Sequence, residues 1–339
     1  MEVVYDLLRF GGSTLIVVLG IIAVLLVLFL LIAKSRLRPE LEITPIHEQW
    51  NDAKMFIQAS LLKKEDFKAL QKKEKKETKK NKSKDKKPRL FVIEFEGDIK
   101  ASQVESLRRE ITAILLIADK SDEVLLKVES PGGVVHGYGL AASQIHRLKE
   151  AGLKVTISVD KVAASGGYMM ACLGDQIIAA PFAILGSIGV LAQIPNIHNL
   201  LKKNNVDFYE ITAGEYKRTV TPLGEVTDKG LKKLDEQINE THDLFKNFVS
   251  EARPQMDMSQ VATGEYWYGK QALDRKLIDK IQTSDDFIMG TVKTHEIFRF
   301  KYKQKKSLQE KLSESASLVM EKLAQRILSF VQSSRFAKG

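Results

Sequence analysis

Glu123-Val-Leu-Leu-Lys-Val-Glu-Ser-Pro-Gly-Gly133 reads as a short strand that runs directly into a double glycine. Residues 123–128 have the aliphatic, β-branched make-up of a strand. The two glycines let backbone N–H groups turn toward a ligand with no Cβ in the way. On either side of this stretch the apolar period switches repeatedly between strand and helix. Downstream, residues 139–151 have helical spacing, 153–159 read as a strand and 165–173 as a helix. Upstream, Leu90-Phe-Val-Ile-Glu-Phe-Glu96 is a strand ended by Gly97, and residues 104–118 place Leu107, Ile111, Ile114 and Leu115 on one helical face. This alternation predicts βαβ units and a largely parallel sheet, an α/β fold. Residues 206–212 are expected to form a further strand and 228–252 a long helix with a polar face.

The chemistry-bearing residues fall at the ends of these elements. Ser165 lies in Val162-Ala-Ala-Ser-Gly-Gly-Tyr-Met-Met-Ala171, at the expected start of a helix, whose N-terminus favours negative charge developing on a substrate oxygen. A serine hydroxyl attacks well only when a base removes its proton. Gly214-Glu-Tyr-Lys217 offers a lysine for that task. An ordinary lysine is neutral in only about one molecule in 2,500 at pH 7, so a lysine base needs a dehydrated site or a neighbouring cation, for which Arg218 is the candidate. The six histidines, His47, His136, His146, His198, His242 and His295, show no metal-ligand spacing. His136, three residues past Gly133, is the one to weigh against a Ser-His-Asp arrangement. Ser-Gly-Gly and Pro-Gly-Gly are each common in plain loops, so no single motif decides the function.

Taken in order, Ser130-Pro-Gly-Gly133, Ala164-Ser-Gly-Gly-Tyr168, Gly186-Ser-Ile-Gly189 and Gly214-Glu-Tyr-Lys217 resemble the signal peptide peptidase A family of membrane-bound serine proteases, and most of all its SohB branch. The resemblance covers about residues 89–281. It implies a Clp/crotonase-like spiral of ββα units, with Ser165 as nucleophile and Lys217 as general base. It also implies an oxyanion hole made by the backbone N–H groups of Gly133 and Gly166. In the fold-related Clp proteases a histidine follows the serine by some two dozen residues, and residues 184–193 contain none, which favours the lysine. No cofactor or metal is implied. The expected substrates are peptides at the membrane, such as signal peptide remnants or misfolded envelope proteins, and the expected assembly is a homo-oligomer whose dyad closes between neighbouring chains. One departure is Lys276, where relatives carry a helix-terminating glycine. Two other functions stay open on the residues alone: a crotonase-like acyl-CoA enzyme, which would use the same paired oxyanion donors, and a noncatalytic membrane scaffold.

Residues 11–33 contain no charge over a length that crosses a bilayer, and no small-residue cleavage pattern follows, so an uncleaved transmembrane anchor in a bacterial inner membrane is expected after a flank of residues 1–10. Lys34, Arg36 and Arg38 favour a cytoplasmic remainder. The family resemblance favours the outer side. A juxtamembrane segment at 34–70 leads to a lysine-rich linker at 71–88, a protease domain at 89–285 and an extension at 286–339 with an amphipathic helix over 306–331. The net charge of +9 is concentrated in that linker, where ten lysines face Glu74, Glu77 and Asp85. A catalytic domain near neutrality does not point to nucleic acid, and the charge block reads as a disordered spacer. Residues 177–194 are apolar enough to mimic a second span, but Pro181, Gly186 and Gly189 interrupt them, which suits buried strands better. The single cysteine, Cys172, permits no intrachain disulfide and reads as a small buried hydrophobe.

Overall fold

A computed structural model of the chain describes residues 41–81 and 87–303, together with Gly20. The expected anchor at 11–33 and the expected helix at 306–331 lie outside the described residues. Among those described, no helix is long and apolar enough to cross a membrane. One compact unit runs from Ile43 to Tyr302.

Ten strands and ten helices follow one another as β1 (Leu41–Pro45), α1 (Ile46–Leu61), α2 (Lys64–Asn81), β2 (Arg89–Glu96), α3 (Val104–Leu115), β3 (Glu123–Glu129), α4 (Val135–Glu150), β4 (Lys154–Val159), β5 (Val162–Ala164) and α5 (Gly166–Ala171) among the described residues. Then come β6 (Gln176–Ala179), β7 (Ile184–Gly186), α6 (His198–Lys203), α7 (Asp228–Ala252), α8 (Met258–Val261), β8 (Tyr266–Tyr268), α9 (Gly269–Asp274), β9 (Lys280–Ile281), α10 (Ser284–Thr291) and β10 (Glu296–Tyr302). The large sheet has the order β1-β10-β2-β3-β4-β6-β9, and its pairings from β10 to β9 are all parallel. A small sheet of order β5-β7-β8 pairs β5 with β7 in parallel and β7 with β8 antiparallel. The fold is mixed α/β.

Parallel strands covered on both faces become continuous apolar runs, and β2, β3, β4 and β6 are buried along most of their length. Leu90, Val92, Leu125 and Ile297 pack with Ile288 of α10 and with Ile46 and Trp50 of α1. The alternate residues Phe91 and Phe95 meet Phe300 and Tyr138 edge to face. Leu107, Ile111 and Ile114 of α3 are buried as their spacing predicts, and Leu115 is half-buried. The apolar run at 177–194 supplies β6 and β7, and Ile177, Ile178, Leu185 and Ile188 lie in the core.

Two expectations need correction, and the compact unit also takes in residues on both sides of 89–285, because α1 packs on the sheet and β10 pairs with β2. The first part of the lysine-rich linker is helical through Asn81: Glu65 and Asp66 sit in the first turn of α2, where they complement its dipole, and the run is rich in helix formers. Residues 206–212 form no strand. An extended segment needs a neighbouring ladder to be stable, and none runs beside this one among the described residues. Lys276 does adopt the left-handed conformation, with φ of 62°, just past the end of α9.

Glu110 of α3 is 3% exposed; its Oε1 accepts the Tyr302 N–H of β10 at 2.6 Å, and its Oε2 has no hydrogen-bond partner among the described residues. Burial, helped by the Glu94 charge, pushes this carboxyl up to about 7, against the opposing pull of the Tyr302 bond and Lys301. A carboxyl whose folded pKa lies above its unfolded value withdraws stability as pH rises from about 4.5 to 7, and the loss is complete above that window. Glu110→Gln is therefore expected to raise stability at pH 8 over wild type by up to about 3 kcal/mol more than it does at pH 4.5. Melting temperatures of the two proteins at both pH values check this, and an equal difference at both would refute it.

Candidate functional site

Ser165 stands between β5 and α5 with φ 51° and ψ −118°, a conformation that non-glycine residues rarely adopt. Its neighbours hold it there. The Ser165 N–H donates to Gly186 O at 2.8 Å, and its carbonyl accepts from the Tyr168 and Met169 N–H groups at 2.9 Å each. On the preceding strand, the Ala164 N–H donates to Ser130 O. The result is a half-buried serine at the tip of a sharp strand-to-helix turn, with helix N–H groups beside it.

The double glycine lies against this turn. Gly132, at φ 91°, passes so close that a Cβ on it would sit 2.7 Å from Ser165 Cβ and 2.9 Å from Gly166 N. A Cβ on Gly133 would fall 2.1 Å from Ile99 O, so the loop is threaded between the Ile99 backbone and the serine. Among the described residues, neither the Gly133 nor the Gly166 N–H donates to a backbone acceptor. The structure thus brings together three of the four site residues expected from the sequence.

Lys217 is the fourth, and within one chain it is not joined to them. It is exposed in a turn closed by its N–H donating to Gly214 O at 3.1 Å, and no hydrogen bond or ion pair of its side chain is seen among the described residues. Arg218 does not point at it as a free cation, because it pairs with Glu210 at 3.4 Å. Beside Lys217 the turn is fixed from α7: Lys229 bonds Glu215 at 2.5 Å, and Lys229 and Lys233 lie over the Tyr216 ring. The root of the excursion is tied by the Ile197 N–H to Pro222 O and by Asn196 to Thr221 O and Gly224 O. Its apolar side chains are left in the open: Leu191 is 76% exposed, Tyr209 83% and Ile211 98%.

The shell behind Ser165 is buried and hydrogen-bonded. Tyr168 is fully buried and donates to Leu277 O at 2.9 Å. Arg253, at the end of α7, pairs with Asp279 at 2.6 Å, and Asp279 in turn accepts the Ile177 N–H of β6. Cys172 is buried on the same short helical stretch as Tyr168, and burial pushes its thiol up to about 12, so it presents no thiolate. His136 is exposed on the first turn of α4. Two residues to which the sequence alone gives no site role also frame the site: Tyr138, buried beneath Gly166, and Ser130, whose backbone joins β3 to β5.

The model of the peptidase family S49 N-terminal region matches residues 2–145, and that of peptidase family S49 matches residues 147–297. A probable protease SohB of Haemophilus influenzae is 50% identical over 290 residues, covering 82% of each chain. A second probable protease SohB, from Buchnera aphidicola of Acyrthosiphon pisum, is 52% identical over 234 residues, which is 69% of this chain and 70% of the relative. Among solved structures, a lysine-to-alanine mutant of the membrane-bound stomatin-specific protease 1510-N, in complex with a substrate peptide, aligns at 13% identity and a TM-score of 0.43, covering 68% of this chain and 98% of the other.

Proposed function

We propose that this chain, which belongs to peptidase family S49, is a membrane-anchored serine endopeptidase working through Ser165 and Lys217. The observation that carries the reading is the strained Ser165 turn with the Gly132–Gly133 loop laid against it. In the reaction, neutral Lys217 takes the proton of Ser165 Oγ as it attacks the peptide carbonyl. The Gly133 and Gly166 N–H groups receive the oxyanion, and the proton passes on to the leaving amine. Water then releases the acyl group by the same steps in reverse roles. The alternation of strands supports the finer reading of a Clp/crotonase-like spiral: β4 and β6 of the large sheet are each followed at once by a short strand of the small one.

Membrane attachment rests on residues 11–33, with the protease unit beyond them and peptides at the bacterial inner membrane as substrates. Lys217 is completed by a second copy of the chain. The exposed apolar surface around Leu191, Tyr209 and Ile211 supports this, since a soluble monomer rarely leaves so much apolar side chain uncovered in one segment. Full-length protein in detergent is expected to cleave casein, and Ser165→Ala, prepared identically, is not. Equal cleavage by the two preparations, with contaminating proteases excluded, would sink the assignment and favour the scaffold or acyl-CoA alternatives.

A further inference from the structure

Three buried groups form a hydrogen-bonded chain behind the Gly132 turn, and its direction can be worked out atom by atom. Tyr138 Oη lies 2.8 Å from Asp98 O, a carbonyl that can only accept, so the single tyrosine proton points there. Ser130 Oγ lies 2.5 Å from Tyr138 Oη, which has no proton left to give, so Ser130 donates to it. The remaining lone pairs of Ser130 Oγ then face the Gly132 N–H, 3.1 Å away. Ser130 and Tyr138 are both 0% exposed, so water does not compete for the bond between them or for the one from the Gly132 N–H. Burial, with the Asp98 charge adding to it, raises the Tyr138 phenol above its ordinary value and keeps the proton in place.

The same two side chains reach both sides of the nucleophile. Ser130 donates its own N–H to Val162 O at 2.8 Å and accepts from Ala164 N–H at 3.0 Å, which fixes the strand that ends at Ser165. The Tyr138 ring lies directly beneath Gly166, where a Cβ would stand 2.4 Å from ring Cγ. Space around the hydroxyl pair is closed as well: a Cβ on Gly97 would fall 2.4 Å from both Ser130 Oγ and Tyr138 Oη.

We propose that Ser130 and Tyr138 are positioning residues that aim the two oxyanion donors: Ser130 Oγ holds the Gly132 turn that presents the Gly133 N–H, while Tyr138 orients Ser130 and supports Gly166. This rests on the reading of Ser165 as nucleophile. Oxyanion donors act mainly in the transition state, so misaiming them costs turnover and leaves substrate binding nearly intact.

The test uses full-length protein in detergent, with competent serines counted by fluorophosphonate labelling and rates expressed per labelled site. Ser130→Ala is expected to lower kcat roughly 10²-fold with KM within about twofold, the cost of losing a well-placed donor. Tyr138→Phe leaves Ser130 Oγ as an acceptor and is expected to lower kcat about tenfold. Because the two act as one chain, the double variant should be no slower than Ser130→Ala, and affinity for a peptide aldehyde that forms a tetrahedral adduct should fall in step with kcat/KM. If Ser130→Ala melts below the assay temperature, Tyr138→Phe carries the test alone. Wild-type kcat per labelled serine in Tyr138→Phe, or a loss confined to KM, overturns the proposal. Ser165→Ala run alongside separates the two levels: activity surviving there removes the nucleophile reading itself, whereas activity lost there but retained in Tyr138→Phe removes only the positioning role.

Discussion

Lys217→Ala is expected to lower kcat on casein on the order of 10⁴- to 10⁶-fold, as far as Ser165→Ala does, because a nucleophile and its base fail as a unit. The double variant should be no worse than either single one, since nothing remains to lose once the pair is broken. Single-turnover rates of these variants beside wild type check this directly. Lys217→Ala retaining more than about a tenth of wild-type kcat would remove lysine from the mechanism. Lys217→Arg distinguishes a base from a mere cation. Arginine keeps the charge and cannot be deprotonated, so it should be as inactive as alanine.

Such an outcome would attach chemistry to a residue whose surroundings the single chain leaves open. The close approach of the Ser165 turn and the double glycine was legible because it is local. A serine followed by two glycines at a strand end, and a Pro-Gly-Gly turn after another strand, mark places where backbone must approach backbone, and the structure closes both against each other. The strands β2, β3 and β4 were legible for a related reason: burial on both faces turns them into unbroken apolar runs. Lys276 could be placed as a left-handed helix terminus from the missing glycine alone.

What the sequence hid depends on partners distant along the chain. β10 pairs with β2 across most of the domain's length, so its alternating run Glu296-Ile-Phe-Arg-Phe-Lys-Tyr302 carries no local sign that it belongs to the same sheet. The two-residue β9 and three-residue β8 are too short for any periodicity to appear. Tyr138 looks like an ordinary aromatic on a helix, and only the convergence of Asp98, Ser130 and Gly166 upon it gives it a role. Residues 206–212 have a strand-like composition, yet their apolar side chains Val206, Phe208 and Ile211 are exposed. A strand-like pattern with its apolar side uncovered is what a segment paired or packed against another chain would carry.

Mixed oligomers of two inactive variants give the sharpest test of the assembly. If Ser165 of one chain meets Lys217 of its neighbour, then Ser165→Ala and Lys217→Ala chains are complementary, although each alone is inert. In a mixed oligomer, an interface is restored whenever the serine comes from the Lys217→Ala chain and the lysine from the Ser165→Ala chain. With equal amounts and random exchange, each condition holds half the time, so about a quarter of the sites should be intact and about a quarter of wild-type activity should return. Activity should follow the product of the two fractions as the ratio is varied, with its maximum at equal mixing. Differently tagged chains co-purified through both tags establish that mixed oligomers have formed. Mixed oligomers that stay inert, while wild type taken through the same exchange keeps its activity, would show that Ser165 and Lys217 close within one chain; the exposed 189–226 segment would then have to fold back onto its own Ser165 turn.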